Sequence, residues 1–175
     1  MSEPQEPVDD EDDGDEEQLP IVELITRNIE TTLASVTMPE RFWLHPTDSV
    51  TVLRPTKTGE YSPRHLQMVL VQGDPTRATD LDIPGNPPAV GWRQAYSVNC
   101  VIIVAERSSW SIDEAANIFW ANVVKTVSAD PQRGGLANDT VLLAPQLWRE
   151  IGYEGITVEF DVIYRCAEND PCMQM

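Results

Sequence analysis

The sequence is short of the residues that most site chemistry is built from. Among its 175 residues are only two histidines, His45 and His65, and three cysteines, Cys100, Cys166 and Cys172. The histidines sit on separate segments outside any metal-ligand spacing, and no Cys-His pair occurs at short spacing. Neither a zinc cage nor a cysteine nucleophile with an adjacent base is written locally, and both histidines read as surface or structural residues. The nucleophile elbow G-x-S-x-G and both phosphate-cradling glycine fingerprints are missing, so the local signatures of serine hydrolases and nucleotide-binding folds are excluded. Bases are scarce as well, twelve against 29 acids. They are strewn singly (Arg27, Arg41, Arg54, Lys57, Arg64, Arg77, Arg93, Arg107, Lys125, Arg133, Arg149 and Arg165), which argues against nucleic-acid binding by charge. No apolar run approaches the roughly 20 residues that span a bilayer, and no secretory signal is seen. With an odd number of cysteines, the expectation is a reduced cytosolic chain with free thiols, Cys100 lying within an apolar core strand.

What the chain does have is acid, unevenly placed. Ten of the 29 acids fall in residues 1–18, from Glu3 to Glu17, without one base; the remainder holds 19 acids against twelve bases, a balance of −7. The first segment cannot bury enough apolar surface to repay ordering entropy and reads as a flexible, self-repelling arm. Residues 19–175 read as one domain, with ample apolar residues (41%) for a core.

The stretch from Ser111 to Asp139 organises that domain. Ser111 followed by Glu114 is a capping box, and Asp113 places negative charge at the positive end of the helix. Ile112, Ala115, Ala116, Phe119, Trp120, Val123, Val124 and Val127 recur at helical spacing over a stripe wider than one sheet face needs, so two burial partners are expected. Asp130-Pro131 ends the helix. In the loop that follows, Gly134-Gly135 reads as a source of positive φ angles rather than an anion site. The flanking carboxylates Asp130 and Asp139 are more simply satisfied by turn hydrogen bonds than used as an acid/base pair.

Around it the elements fall in order. Ile21, Leu24, Ile25, Ile29, Leu33 and Val36 mark a first helix, the natural second partner of the wide stripe. Thr47–Leu53 and His65–Gln72 read as strands able to form a hairpin around the turn at Pro55–Ser62. The proline-rich span from Gly73 to Arg93 reads as a long protruding loop suited to contact with a neighbour, with Trp92, Arg93 and Tyr96 at its end either anchoring that contact or packing on the domain's own core. Ala95–Glu106 is the strongest strand, apolar on both faces over Val101–Val104; Thr140–Ala144 is a short strand, Pro145–Gly155 a connector with Trp148 and Tyr153, and Ile156–Cys166 a final strand. In that last strand Ile156, Val158, Phe160, Val162 and Tyr164 alternate with Thr157, Glu159, Asp161 and Arg165, and Ile163 alone breaks the pattern. The predicted fold is α+β: a mainly antiparallel sheet of four to five strands with two helices packed on one face, followed by a C-terminal arm over residues 167–175.

Three segments carry a family resemblance: S-I-D-E-A-A-N-I-F-W-A-N-V-V-K-T-V (111–127), D-P-Q-R-G-G-L-A-N-D-T (130–140) and V-I-Y-R-C-A-E-N-D-P (162–171). Their order and spacing, within a region from about Leu19 to the C-terminus, resemble the tail terminator, or tail completion, proteins of long-tailed phages and prophages. The acidic arm departs from that compact pattern. The resemblance implies a small α+β domain without catalysis or cofactor, closing into a ring, typically a hexamer, at the head-proximal end of the tail tube and joining it to the neck. It implies a virion protein whose partners are tail tube and neck proteins, with DNA as passing, non-sticking cargo and no membrane. Trp92, Arg93, Arg133, Gly134, Gly135, Arg165, Asp170 and Pro171 are then candidate subunit or partner contacts. Glu159 and Asp161, on the polar face of the last strand, are candidate lumen-facing acids. A neck or head-completion connector is the nearest alternative; a non-viral acidic adaptor or a small ligand-binding α+β domain, with or without enzymatic activity, comes from other classes.

Overall fold

The computed structural model describes residues 18–36, 51–54, 67–102, 111–150 and 153–175. The acidic segment up to residue 17, His45, His65 and the turn expected at Pro55–Ser62 lie outside the described residues.

The order of elements is helix α1 (Ile21–Ala34), strands β1 (Thr51–Leu53), β2 (Gln67–Arg77) and β3 (Ala89–Ile102), helix α2 (Ile112–Ser128), then β4 (Asp139–Leu142), β5 (Gln146–Glu150), β6 (Tyr153–Ala167) and β7 (Asp170–Gln174). They form an α+β domain in which a mainly antiparallel sheet dominates. The spine is β6. One of its edges pairs with β3 along its whole length, from Ile102↔Glu154 to Ala89↔Ala167. The other edge is shared by β5 (Trp148↔Gly155), β4 (Val141↔Asp161) and β7 (Ala167↔Asp170).

Each helix is built as its sequence dictates. In α2 the capping box is closed in both directions: the Ser111 amide donates to Glu114 Oε2 at 2.7 Å and the Glu114 amide to Ser111 Oγ at 3.2 Å. In α1, Ile21, Ile25, Ile29 and Leu33 repeat at i+4 and are all at most 1% exposed. Both helices cover the same face of the sheet. There they meet Met68 and Leu70 of β2, Tyr96, Val98 and Cys100 of β3, and the even-numbered residues of β6 from Ile156 to Cys166. Every fully buried Leu, Ile or Phe in that layer contributes roughly 1.5–3 kcal/mol. The wide stripe of α2 does find two partners, the sheet and α1. The stripe is not wholly consumed, however: Ile112 at the start of α2 and Trp120 at its middle stay more than a third exposed.

Several sequence expectations need correction. The first two strands do not form a hairpin. β1 runs parallel to β2 (Val52↔Met68), a pairing that a tight hairpin turn cannot make. Strand β2 does not stop at Gly73 but continues to Arg77 through a bulge between Gln72 and Pro75. Gly73 and Asp74 are the bulged residues, and Pro75 rejoins the ladder opposite Gln94 just beyond them, a position beside a bulge where a strand tolerates proline. Buried Gln94 then stands in for the missing ladder partner, its amide donating to the carbonyls of Gly73 and Ala95.

The remaining loop, residues 78–88, does not protrude. It folds back over β3 with a single 3-10 turn at Thr79–Leu81. Gly91 permits this, since a Cβ there would come within 2.4 Å of Leu81 Cβ and 2.5 Å of the Ala78 carbonyl oxygen. The connector expected at Pro145–Gly155 contains β5, and the expected C-terminal arm contains β7, hairpinned to β6 by the Glu168–Asn169 turn. These short edge strands raise the sheet from the four or five expected to seven.

Candidate functional site

The loop after α2 holds three of the eight candidate contacts, Arg133, Gly134 and Gly135. Arg133, Gly134 and Gly135 all have positive φ, at 51°, 68° and 90°. The glycines adopt such angles without steric cost; Arg133 does not, and the surroundings hold it there. Its guanidinium donates to the Val127 carbonyl at the C-terminal end of α2 and, through Nε, to Thr140 Oγ1 at 3.0 Å. Thr140 in turn donates to the Pro131 carbonyl at 2.7 Å, and the Gly134 amide to Asp130 Oδ2 at 2.6 Å. The loop thus satisfies itself with turn hydrogen bonds, and a cation caps the negative pole of α2.

Burial pushes the Arg133 guanidinium below its ordinary pKa, with the nearby Asp130 charge opposing. Its side chain is wholly buried, so it is withdrawn from the candidate contacts: it is a keystone of the fold rather than a surface group. Two buried polar atoms here have no partner, Arg133 Nη1 and Asn28 Oδ1 of α1. Gly134 and Gly135 remain exposed.

A second group gathers at the C-terminal end of β6. Trp92 is half-buried against the core and lines the same cavity as Cys166, whose thiol pKa is raised by burial. The guanidinium of Arg77 lies over the Trp92 ring, 5.8 Å from its centroid. Arg165 Nε donates to the Leu81 carbonyl at 2.9 Å, tying the folded-back loop to the sheet. Asp170 Oδ1 accepts from the Cys172 amide at 2.9 Å, which sets the start of β7 around Pro171. Trp92 and Pro171, far apart in sequence, line one cavity of about 300 Å³ together with Val22, Pro75, Val90 and Tyr164. The three cysteines form no disulfide.

The third group is the sheet face turned away from the helices. Asp161 accepts from Arg93 at 3.3 Å, and Glu159 accepts from the Gln146 amide at 3.2 Å. Thr157 donates to Asn99 at 2.6 Å. Arg93 is therefore an exposed partner of Asp161, and the two candidate acids share one face, as their odd numbering requires.

Sequence reasoning missed the polar ties inside the core. Thr26, buried in the middle of α1, hydrogen-bonds the Val22 carbonyl at 2.7 Å and the Tyr96 hydroxyl at 2.8 Å. Burial raises the pKa of Tyr96 to about 12, and its ring stacks on Phe160 with centroids 5.7 Å apart. A threonine on the apolar side of a helical stripe was the available signal. Among the described residues no cluster of three or more His, Cys, Asp or Glu side chains is placed to hold a metal ion, and no helix is long and apolar enough to cross a membrane. No protein-family model matches the chain, and no curated protein sequence matches it.

Proposed function

We propose that the chain is a structural virion protein, a ring-forming tail terminator that caps the head-proximal end of a phage tail tube and joins it to the neck. The observation that carries this reading is the ordered set of three segments, 111–127, 130–140 and 162–171. They fall on α2, on the self-satisfied Arg133 loop, and on the end of β6 with the turn into β7. All three frame a single two-layer domain whose polar residues are spent on holding turns and strands together.

In this reading the protein works as a hexamer without cofactor or catalysis, with tail tube and neck proteins as its axial partners. Glu159 and Asp161 face the lumen, where negative charge lets phosphates slide without sticking. An assembled ring with both acids on its outer wall sinks the lumen assignment. A neck or head-completion connector is the competing reading, favoured by the same small α+β architecture. Electron microscopy of tube subunits polymerising with the purified protein separates the two: a terminator arrests tubes at a capped end, whereas a connector leaves their growth unchanged. A stoichiometric bound metal or small molecule in the purified protein would overturn both in favour of a ligand-binding domain.

A further inference from the structure

The cavity of about 300 Å³ at the C-terminal end of β6 is walled by two aromatic rings, Trp92 and Tyr164, two prolines, Pro75 and Pro171, and the aliphatic Val22 and Val90. Among the described residues its charged walls are Arg77, whose guanidinium lies over the Trp92 ring, and Glu168. Its size is at the small end of the roughly 300–1,000 Å³ of ligand pockets, enough for a short apolar segment. Aromatic rings are also the lining that grooves for Pro-x-x-Pro peptides use, because such peptides are stiff before they bind and have little conformational entropy to lose.

The chain itself carries such a segment. Glu3-Pro4-Gln5-Glu6-Pro7-Val8 has prolines three apart and lies ahead of the first described residue, Gln18. The Gln18 carbonyl accepts from the Cys172 thiol at 3.2 Å, which fixes the start of the described chain beside Pro171. Val22, four residues on from Gln18, is in the cavity wall. Four residues span at most about 14 Å, whereas the ten from Val8 to Gln18 reach up to about 36 Å, so the segment is within range of the cavity.

We propose that the cavity is the seat of the chain's own Pro4–Pro7 segment, docked in cis with its prolines on Trp92 and Tyr164 and its carboxylates drawn to Arg77. Nearness and charge favour this occupant over a separate partner. The tether supplies an effective concentration on the order of millimolar without any further contact. Arg77 is paired with Asp82 at 3.0 Å but stays 42% exposed, and its fork has N–H groups left to receive a second carboxylate from Glu3 or Glu6. Glu168 repels the same acids, so the charges fix the direction in which the segment lies while the apolar walls hold it. Seating closes residues 9–17, eight of them acids, into a loop at this end of β6. A partner that reaches this end of the sheet then has to displace the segment first. The proposal does not rest on the tail terminator reading.

The test uses the full chain and a synthetic peptide of residues 2–9, followed by the indole N–H signal of Trp92 in NMR, assigned with Trp92→Phe, and by titration calorimetry. Pro4→Ser/Pro7→Ser changes nothing within the described domain, so the fold is kept, and it is expected to shift the Trp92 signal equally at every protein concentration. The peptide is expected to bind that variant about fivefold or more tighter than wild type, because in wild type the tethered segment competes. Adding Arg77→Glu to the same variant is expected to weaken the peptide severalfold, and a Glu3→Lys/Glu6→Lys peptide to recover the loss.

An unchanged Trp92 signal in Pro4→Ser/Pro7→Ser, or a peptide that binds neither chain, would overturn the proposal. So would two other occupants. A wild-type Trp92 signal that moves with protein concentration assigns the seat to the segment of a second copy. A Pro-x-x-Pro peptide of unrelated sequence that binds wild type as tightly as Pro4→Ser/Pro7→Ser assigns it to a separate partner.

Discussion

The two faces of β6 are made from alternate residues of one strand, and they do opposite things. On the helix side Val158, Phe160 and Val162 are all 0% exposed and packed in the core. On the other side Thr157, Glu159 and Asp161 are half-buried and bonded laterally to Asn99, Gln146 and Arg93. One face makes the domain stable. The other is polar, satisfied within the sheet, and free to be shaped by what the protein touches.

Substitutions at neighbouring positions should expose that division. Phe160→Ala removes a core ring stacked on Tyr96 and is expected to cost about 3–5 kcal/mol in chemical denaturation. Asp161→Ala, one residue on, loses only a partly exposed ion pair with Arg93 and should cost less than about 1 kcal/mol. Equal losses at the two positions would mean that both faces of β6 carry the fold alike.

Arg133→Met strips the cap from the Val127 carbonyl and the bond to Thr140, and is expected to cost roughly 2–3 kcal/mol. Arg133→Lys should rescue little of it, because an ammonium lacks the forked geometry that reaches both acceptors. A melting temperature unchanged in Arg133→Met would remove the residue from the fold's keystones. Tyr96→Phe leaves the stack intact but takes the hydroxyl from Thr26, an expected loss of about 1 kcal/mol.

The smallest effect is one of pH. The carboxylate of Glu23 is held at a pKa of about 2, below its usual 4.5, mainly by hydrogen bonds from Arg54 and secondarily from Arg27. Because the folded value is the lower one, the pairing stabilises the fold fully above pH 4.5, and that contribution is lost as the pH falls towards 2. Comparing the acid limb of the stability curve with that of Glu23→Gln checks the sign. The variant should be less stable at neutral pH and its difference from wild type should shrink on acidification.

The layers of the fold were legible because their signals are local and periodic. The Ser111–Glu114 box and the i+4 repeat of isoleucines need only neighbours to be read, as does the alternation from Ile156 to Tyr164. What was not legible depends on residues distant in sequence. That β1 and β2 run parallel is recorded in neither strand. The strand continuation past Gly73 rests on Gln94, 21 positions away, donating into the bulge. Gly91, within the span expected to protrude as a loop, proves to be the floor on which Leu81 lies.

Among the candidate contacts, Trp92 and Pro171 converge on one cavity and Arg93 meets Asp161. Arg133, the most conspicuous charge in its loop, turned inward because the end of α2 leaves carbonyls that need a donor. The exposed Leu143, Leu147 and Met173 were missed because exposure, unlike periodicity, is fixed by where the neighbouring layers stop.

On the function proposed above, this domain assembles with itself around an axis. Native mass spectrometry of the full chain, alone and with tail tube protein across a range of concentrations, tests it most directly. A single closed oligomer of defined stoichiometry, alone or on the tube, is the predicted result, and a monomer under every condition would contradict it.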